Sequence, residues 1–127
     1  MRRELHVPGL PLLSHSAHAV TVSGELIFVN GILPVDGDGK LVGDDILTQA
    51  RKVFGTMWEI LAAAGASFGD VAKLTIFLTD VSERDAIARL REEVFGDAHP
   101  ASTLVEVSRL AVPGARIEVD CVAVAGR

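Results

Sequence analysis

The sequence predicts an α/β domain with one sheet and two helices on one of its faces. Three observations predict it. An apolar stripe at helical period runs from Ile46 to Ala64. Apolar and polar residues alternate along Val71 to Thr79 and again from Arg116 onward. Helix and strand patterns follow one another with no linker, low-complexity tract or internal repeat between them. A chain of 127 residues is then one domain, 1–127, whose first 16 residues read as irregular.

Each element has a local reason. Ala17 to Ser23 and Leu26 to Asn30 are β-rich and meet at Gly24-Glu25, which reads as a hairpin. Asp36-Gly37-Asp38-Gly39 is a turn cluster, with brief pairing expected at Lys40 to Val42. Asp44-Asp45 opens the first helix, because free N–H groups and the helix dipole favour negative charge there. Ile46, Ala50, Val53, Met57, Ile60 and Ala64 form its stripe, and Gly65 ends it. Leu74, Ile76 and Leu78 share one strand face, opposite Lys73, Thr75, Phe77 and Thr79. Ser82 with Asp85 reads as a capping box for the second helix, lined by Ile87, Leu90 and Val94 and closed by Gly96. Ser102 to Ser108 is a strand, Pro113-Gly114 centres a type II turn, and Arg116 to Ala125 is the last strand. The order is ββ(β)αβαββ. Two helices cover one face of such a sheet, and the other face still carries apolar residues.

Composition narrows the function classes. Hydrophobic residues are 49% of the chain, more than so small a domain can hide, so self-association is expected. No run is long and apolar enough to span a membrane or serve as a secretory leader, which reads as cytoplasmic. Cys121 is the single cysteine, so no internal disulfide and no cysteine-based zinc site can form. A net charge of -5 and the lack of a Lys/Arg run argue against a nucleic-acid surface.

Individual motifs are weak. His15 and His18 are three apart on a segment entering a strand, which points them to opposite faces, so no metal site is expected. The Asp36 to Gly39 cluster lacks the further ligands of a calcium loop. Ser102, Thr103 and Ser108 stand in no nucleophile elbow. Cys121 shares a strand face with Ile117 and Val119 and reads as buried and inert. Glu118 and Asp120 share the opposite face. They either meet solvent or line a polar cleft, where Glu118 would serve as an acid or base.

Several segments in consistent order resemble one family. They are Phe28-Val29-Asn30-Gly31-Ile32-Leu33-Pro34, Gln49-Ala50-Arg51 with Ile60-Leu61-Ala62-Ala63-Ala64-Gly65, and Gly69-Asp70-Val71-Ala72-Lys73-Leu74-Thr75-Ile76-Phe77-Leu78. Pro100-Ala101, Val105-Glu106-Val107, Arg109-Leu110 and Ile117-Glu118-Val119-Asp120 complete the set. From about Ser14 to Ala125 the chain resembles the RidA (YjgF) family. The resemblance implies a chorismate-mutase-like fold and a homotrimer whose sheets form a central barrel. It implies small-molecule sites in the clefts between subunits, and hydrolysis of reactive enamines and imines to a keto acid and ammonia without metal or organic cofactor. It places Gly31, Ile32, Ser102, Thr103, Leu104, Ser16 and Ala17 around the ligand and gives Glu118 the water-positioning role.

The chain departs from the family at the anion clamp. Active members carry P-A-R-S, whose arginine grips the substrate carboxylate; here Pro100-Ala101-Ser102-Thr103 puts a serine there. Leu104 replaces a frequent cysteine, and Ser16 or Ala17 stands where an aromatic residue is usual. Arg109 and Lys73 match basic family positions and offer no rescue; Arg2 and Arg3 would need the N-terminal segment to fold back. The reading is a hydrolytic deaminase whose substrate is not a simple 2-imino acid. The alternative is a trimer that binds a ligand or partner without turnover. RNA cleavage, an old family label, fits the acidic charge poorly.

Overall fold

The computed structural model describes residues 1–125. Six strands and two α-helices follow one another as β1 (Arg2–Leu5), β2 (Ala19–Val22), β3 (Glu25–Ile32), α1 (Ile46–Ala63), β4 (Val71–Leu78), α2 (Arg84–Phe95), β5 (Ala101–Glu106) and β6 (Ile117–Ala125). The main sheet has four strands in the order β3-β6-β4-β5. Only β4 and β5 run parallel, joined by α2 as the crossover.

Both helices pack on one face of this sheet. Leu74, Ile76 and Leu78 of β4 and Ile117 and Val119 of β6 are fully buried there against Ala50, Val53, Met57 and Leu61 of α1 and Ile87 of α2. Each of the Val, Leu, Ile and Met side chains among them contributes about 1.5–3 kcal/mol by leaving water. The alternation expected in β4 is observed from Lys73 to Leu78, whereas Val71 and Ala72 are both buried where the pairing with β6 shifts.

Local signals explain the helix ends. Asp45 is the N-cap of α1, and its carboxylate accepts the Thr48 N–H at 3.0 Å. At the far end the Ala66 N–H reaches the Leu61 carbonyl and the Gly65 N–H that of Ala62, a Schellman arrangement with Gly65 at φ +76°. Gln49 is fully buried in α1 with its amide satisfied. Its Nε2 donates to the Gly43 and Gly114 carbonyls at 3.1 Å each, and its Oε1 accepts the Arg116 N–H at 2.7 Å. This one side chain pins the Pro113-Gly114 turn and the start of β6 to the helix.

Three expectations are corrected. Residues 1–16 are not wholly irregular: β1 pairs antiparallel with β2 as a separate two-stranded ribbon, Arg2 opposite Val22 through Leu5 opposite Ala19. The Gly24-Glu25 hairpin is absent, because β2 pairs with β1 whereas β3 pairs with β6. Ser82 does not cap α2. Asp80 accepts both the Ser82 N–H at 3.0 Å and the Ser82 hydroxyl at 2.6 Å, forming a 3-10 turn over Val81–Glu83 before the helix. The brief pairing expected at Lys40 to Val42 is observed as one bridge, between Val35 and Leu41.

Much of the other sheet face is uncovered within the chain, although Val124 on it is buried. Leu26 and Phe28 of β3 and Val105 of β5 lie on it, 47%, 75% and 39% exposed. That is the apolar face left over by the two-helix count.

Candidate active site

A bulge in β3 creates the first feature. Val29 pairs with Cys121 and Ile32 with Val119, so β3 spends one more residue than β6 between the two pairings. Gly31 lies in this irregularity. Its missing side chain is filled by Glu118 from β6: a Cβ built on Gly31 would overlap Glu118 Oε2 and lie 3.3 Å from Cδ. The carboxylate is therefore seated in a notch that only glycine leaves open. Glu118 is half-buried and on the open face, opposite Phe77 of β4. Asp120 and Thr75 form the next pair on that face. Lys73 donates to Thr103 Oγ1 at 2.7 Å.

Ser102 stands on the other side of the sheet. It pairs with Leu74 and Leu104 with Ile76, so both face the helices, while Thr103 between them faces the open side. Ser102 and Leu104 line a cavity of about 520 Å3 with Ser14, Arg84, Ile87 and Arg91. Ser16 and Ala17 are buried nearby but do not line it: the Ala17 N–H bonds to the Pro100 carbonyl at 3.3 Å, and Leu13 and Ser14 reach the cavity instead. The Ile32 side chain belongs to the core, leaving only its backbone for a ligand. Within one chain Gly31 and Glu118 are brought together, Ser102 and Leu104 are brought together, and the two groups lie on opposite sheet faces.

Arg91 was missed by the sequence reading. It is 2% exposed on the buried side of α2, one turn after Ile87. Its Nη2 donates to the His15 carbonyl at 2.9 Å, and its Nε is buried with no partner. No carboxylate among the described residues pairs with it. Burial pushes its ionisation below the ordinary arginine range. The signal was a charge at a stripe position, Ile87-Leu90-Arg91-Val94, where apolar residues belong. Arg2 does fold back with β1, but it is committed: Nε donates to the Val71 carbonyl and Nη1 to Glu4, both at 2.7 Å. Cys121 is 2% exposed, and burial together with Asp120 pushes its thiol up to about 12, so it is no nucleophile near neutrality.

A mixed four-stranded sheet with two helices on one face defines a small α/β fold. The chain belongs to the endoribonuclease L-PSP family, the RidA (YjgF) family, whose profile matches residues 11–125. It is 41% identical over 88 residues to a RutC family protein of Pyrococcus abyssi, covering 68% of this chain and 69% of that one. It is 32% identical over 101 residues to the human 2-iminobutanoate/2-iminopropanoate deaminase, covering 79% and 73%. In structure it matches YyfB of Yersinia pestis, a Rid family protein of unknown function, with a TM-score of 0.91 and 27% identity over 98% of both chains.

Proposed function

We propose that this protein is a hydrolytic deaminase of a reactive enamine or imine, with Glu118 orienting the attacking water. The observation that carries the reading is the seating of the Glu118 carboxylate in the Gly31 notch. An imine carbon is attacked by water as Glu118 accepts a proton. That proton passes to nitrogen and leaves a carbinolamine; Glu118 then takes the carbinolamine hydroxyl proton and delivers it to nitrogen as the C–N bond breaks, so that ammonia departs and a carbonyl remains. The human relative's deaminase name supports this class of reaction.

The substrate anchor differs from that of arginine-bearing relatives. Ser102 offers one neutral hydroxyl, and the cations lining its cavity are Arg84 and Arg91, both on α2, with Asp85 beside Arg84. An anion held from the helix sits elsewhere than one held from β5. A simple 2-imino acid, whose one carboxylate lies directly on the imine carbon, is expected to react poorly. An imine with an anion farther from that carbon fits better. An amino-acid oxidase can supply a panel of imines, with keto-acid release followed with and without the protein. Dicarboxylic imines should outpace 2-iminobutanoate, and Glu118→Gln should lose about 10²-fold or more in rate. No acceleration of any member would leave ligand binding without turnover as the reading.

Assembly follows from the same geometry. The Glu118 half and the Ser102 half of the site face apart in one chain, and Leu26, Phe28 and Val105 leave the open face apolar. A homotrimer with ligand clefts between subunits meets both needs. Light scattering should give three times the chain mass at micromolar concentration, and Phe28→Glu should give a monomer. A monomeric wild type would sink the assembly. A cytoplasmic setting is part of this reading, and a buried free thiol is compatible with it. No helix among the described residues is long and apolar enough to cross a membrane.

A further inference from the structure

All four histidines of the chain gather in one place. His6 follows β1, His15 and His18 precede β2, and His99 precedes β5. Ring centroids are 4.2 Å apart for His15 and His99, 5.9 Å for His6 and His99, and 6.4 Å for His6 and His18. Glu4 of β1 joins them. Its two oxygens face different partners. Oε2 accepts from Arg2 Nη1 and from the His99 N–H, both at 2.7 Å. Oε1 is turned to His99 Nδ1 at 3.3 Å and His6 Nε2 at 3.4 Å.

Those last two distances are long for a charged hydrogen bond, which falls at about 2.7–2.9 Å. They fit a different geometry. Donors at about 2.0–2.1 Å from a tetrahedral zinc ion stand about 3.3–3.4 Å from one another. Oε1 is at that spacing from both ring nitrogens, and all three atoms lie within 4.8 Å of one another. The other histidines have supporting places. His18 Nδ1 accepts the Val7 N–H at 2.8 Å and its Nε2 meets the Pro11 carbonyl at 3.3 Å, which steadies the loop presenting His6. His15 lies against the His99 ring with its Nε2 buried and unpartnered.

We propose that Glu4, His6 and His99 bind a divalent transition-metal ion of the zinc type, with a fourth position open to water. A set of one carboxylate and two imidazoles, with no thiolate, suits such an ion. The site is separate from the Gly31–Glu118 notch and does not depend on the deaminase reading. It would clamp β1 to the residues leading into β5, the strand that carries Ser102.

The test uses the full chain without a histidine tag, stripped with chelator and titrated with Zn2+ by calorimetry. One ion per chain should bind with Kd of about 10 µM or tighter, and Tm should rise. Co2+ in its place should show the visible absorption of a tetrahedral centre. His6→Ala and His99→Ala should each weaken Zn2+ binding by about tenfold or more. His6 has a side chain 47% exposed, so its removal leaves the fold intact and decides the matter if the His99 variant misfolds. No saturable binding at about 100 µM, or a loss below tenfold in the His6 variant, overturns the proposal.

Discussion

Gly31→Ala is expected to lower imine hydrolysis by about 10²-fold or more while leaving Tm within a few degrees of wild type. The backbone itself tolerates alanine, because Gly31 is not among the residues at positive φ. The obstacle is the Glu118 carboxylate, which occupies the space a Cβ would take. A glutamate end group can swing away cheaply, so the fold survives. What is lost is the one orientation in which the carboxylate faces the reacting carbon, and misplacement of a positioned base is expensive in rate. Gly31→Ala combined with Glu118→Gln should be little worse than the poorer single variant, since both remove the same group. The measurement is kcat on the best imine of the panel, beside a thermal melt. Wild-type kcat in a folded Gly31→Ala protein would show that the notch plays no part in turnover.

The second large effect is expected from moving the cation back to the strand. Ser102→Arg should raise activity on 2-iminobutanoate, and Ser102→Arg with Arg91→Leu should raise it further. Serine cannot neutralise a desolvated carboxylate. A guanidinium fork supplies two parallel charged hydrogen bonds, and its loss costs about 2–5 kcal/mol, or roughly 30- to several-thousand-fold. In the single variant the new arginine shares its cavity with Arg91, and two like charges oppose each other. Replacing Arg91 relieves that repulsion. The same double variant should weaken the preference for dicarboxylic imines, because Arg84 alone then remains as a helix-side cation. The gain stays partial, since Leu104 still fills part of the cavity wall. Wild-type turnover of 2-iminobutanoate matching that of an arginine-bearing relative would show that Ser102 is no handicap.

What was legible in the sequence was local. Leu74, Ile76 and Leu78 announced their buried face by alternation, and Gly65 its helix end by being the residue that accepts a left-handed turn. What was not legible depended on distant partners. Nothing in Arg2 to Leu5 shows that it will find Ala19 to Val22, because four mixed residues form a strand only when another strand supplies the pairing. The Gly24-Glu25 signal was a true break but not a hairpin, since each flanking strand had a better partner elsewhere. Ser82 failed as a cap because Asp80 accepts both its N–H and its hydroxyl, which ties it into a 3-10 turn ahead of α2. For the site, family likeness pointed to Gly31 and Glu118 separately. Their contact emerges only from the bulge that sets β3 against β6. Arg91 was visible as a charge out of place, but its cavity was not.

The placement of Glu118 and Ser102 on opposite faces has a genetic consequence. On the proposed assembly each cleft draws its carboxylate from one subunit and its anchor from another. A chain lacking Glu118 and a chain lacking Arg91 would each be inert alone. Mixed in one trimer, they would rebuild an intact cleft wherever a sound carboxylate meets a sound guanidinium. Two defective alleles could then complement each other, and dilution that dissolves the trimer would silence even the wild type.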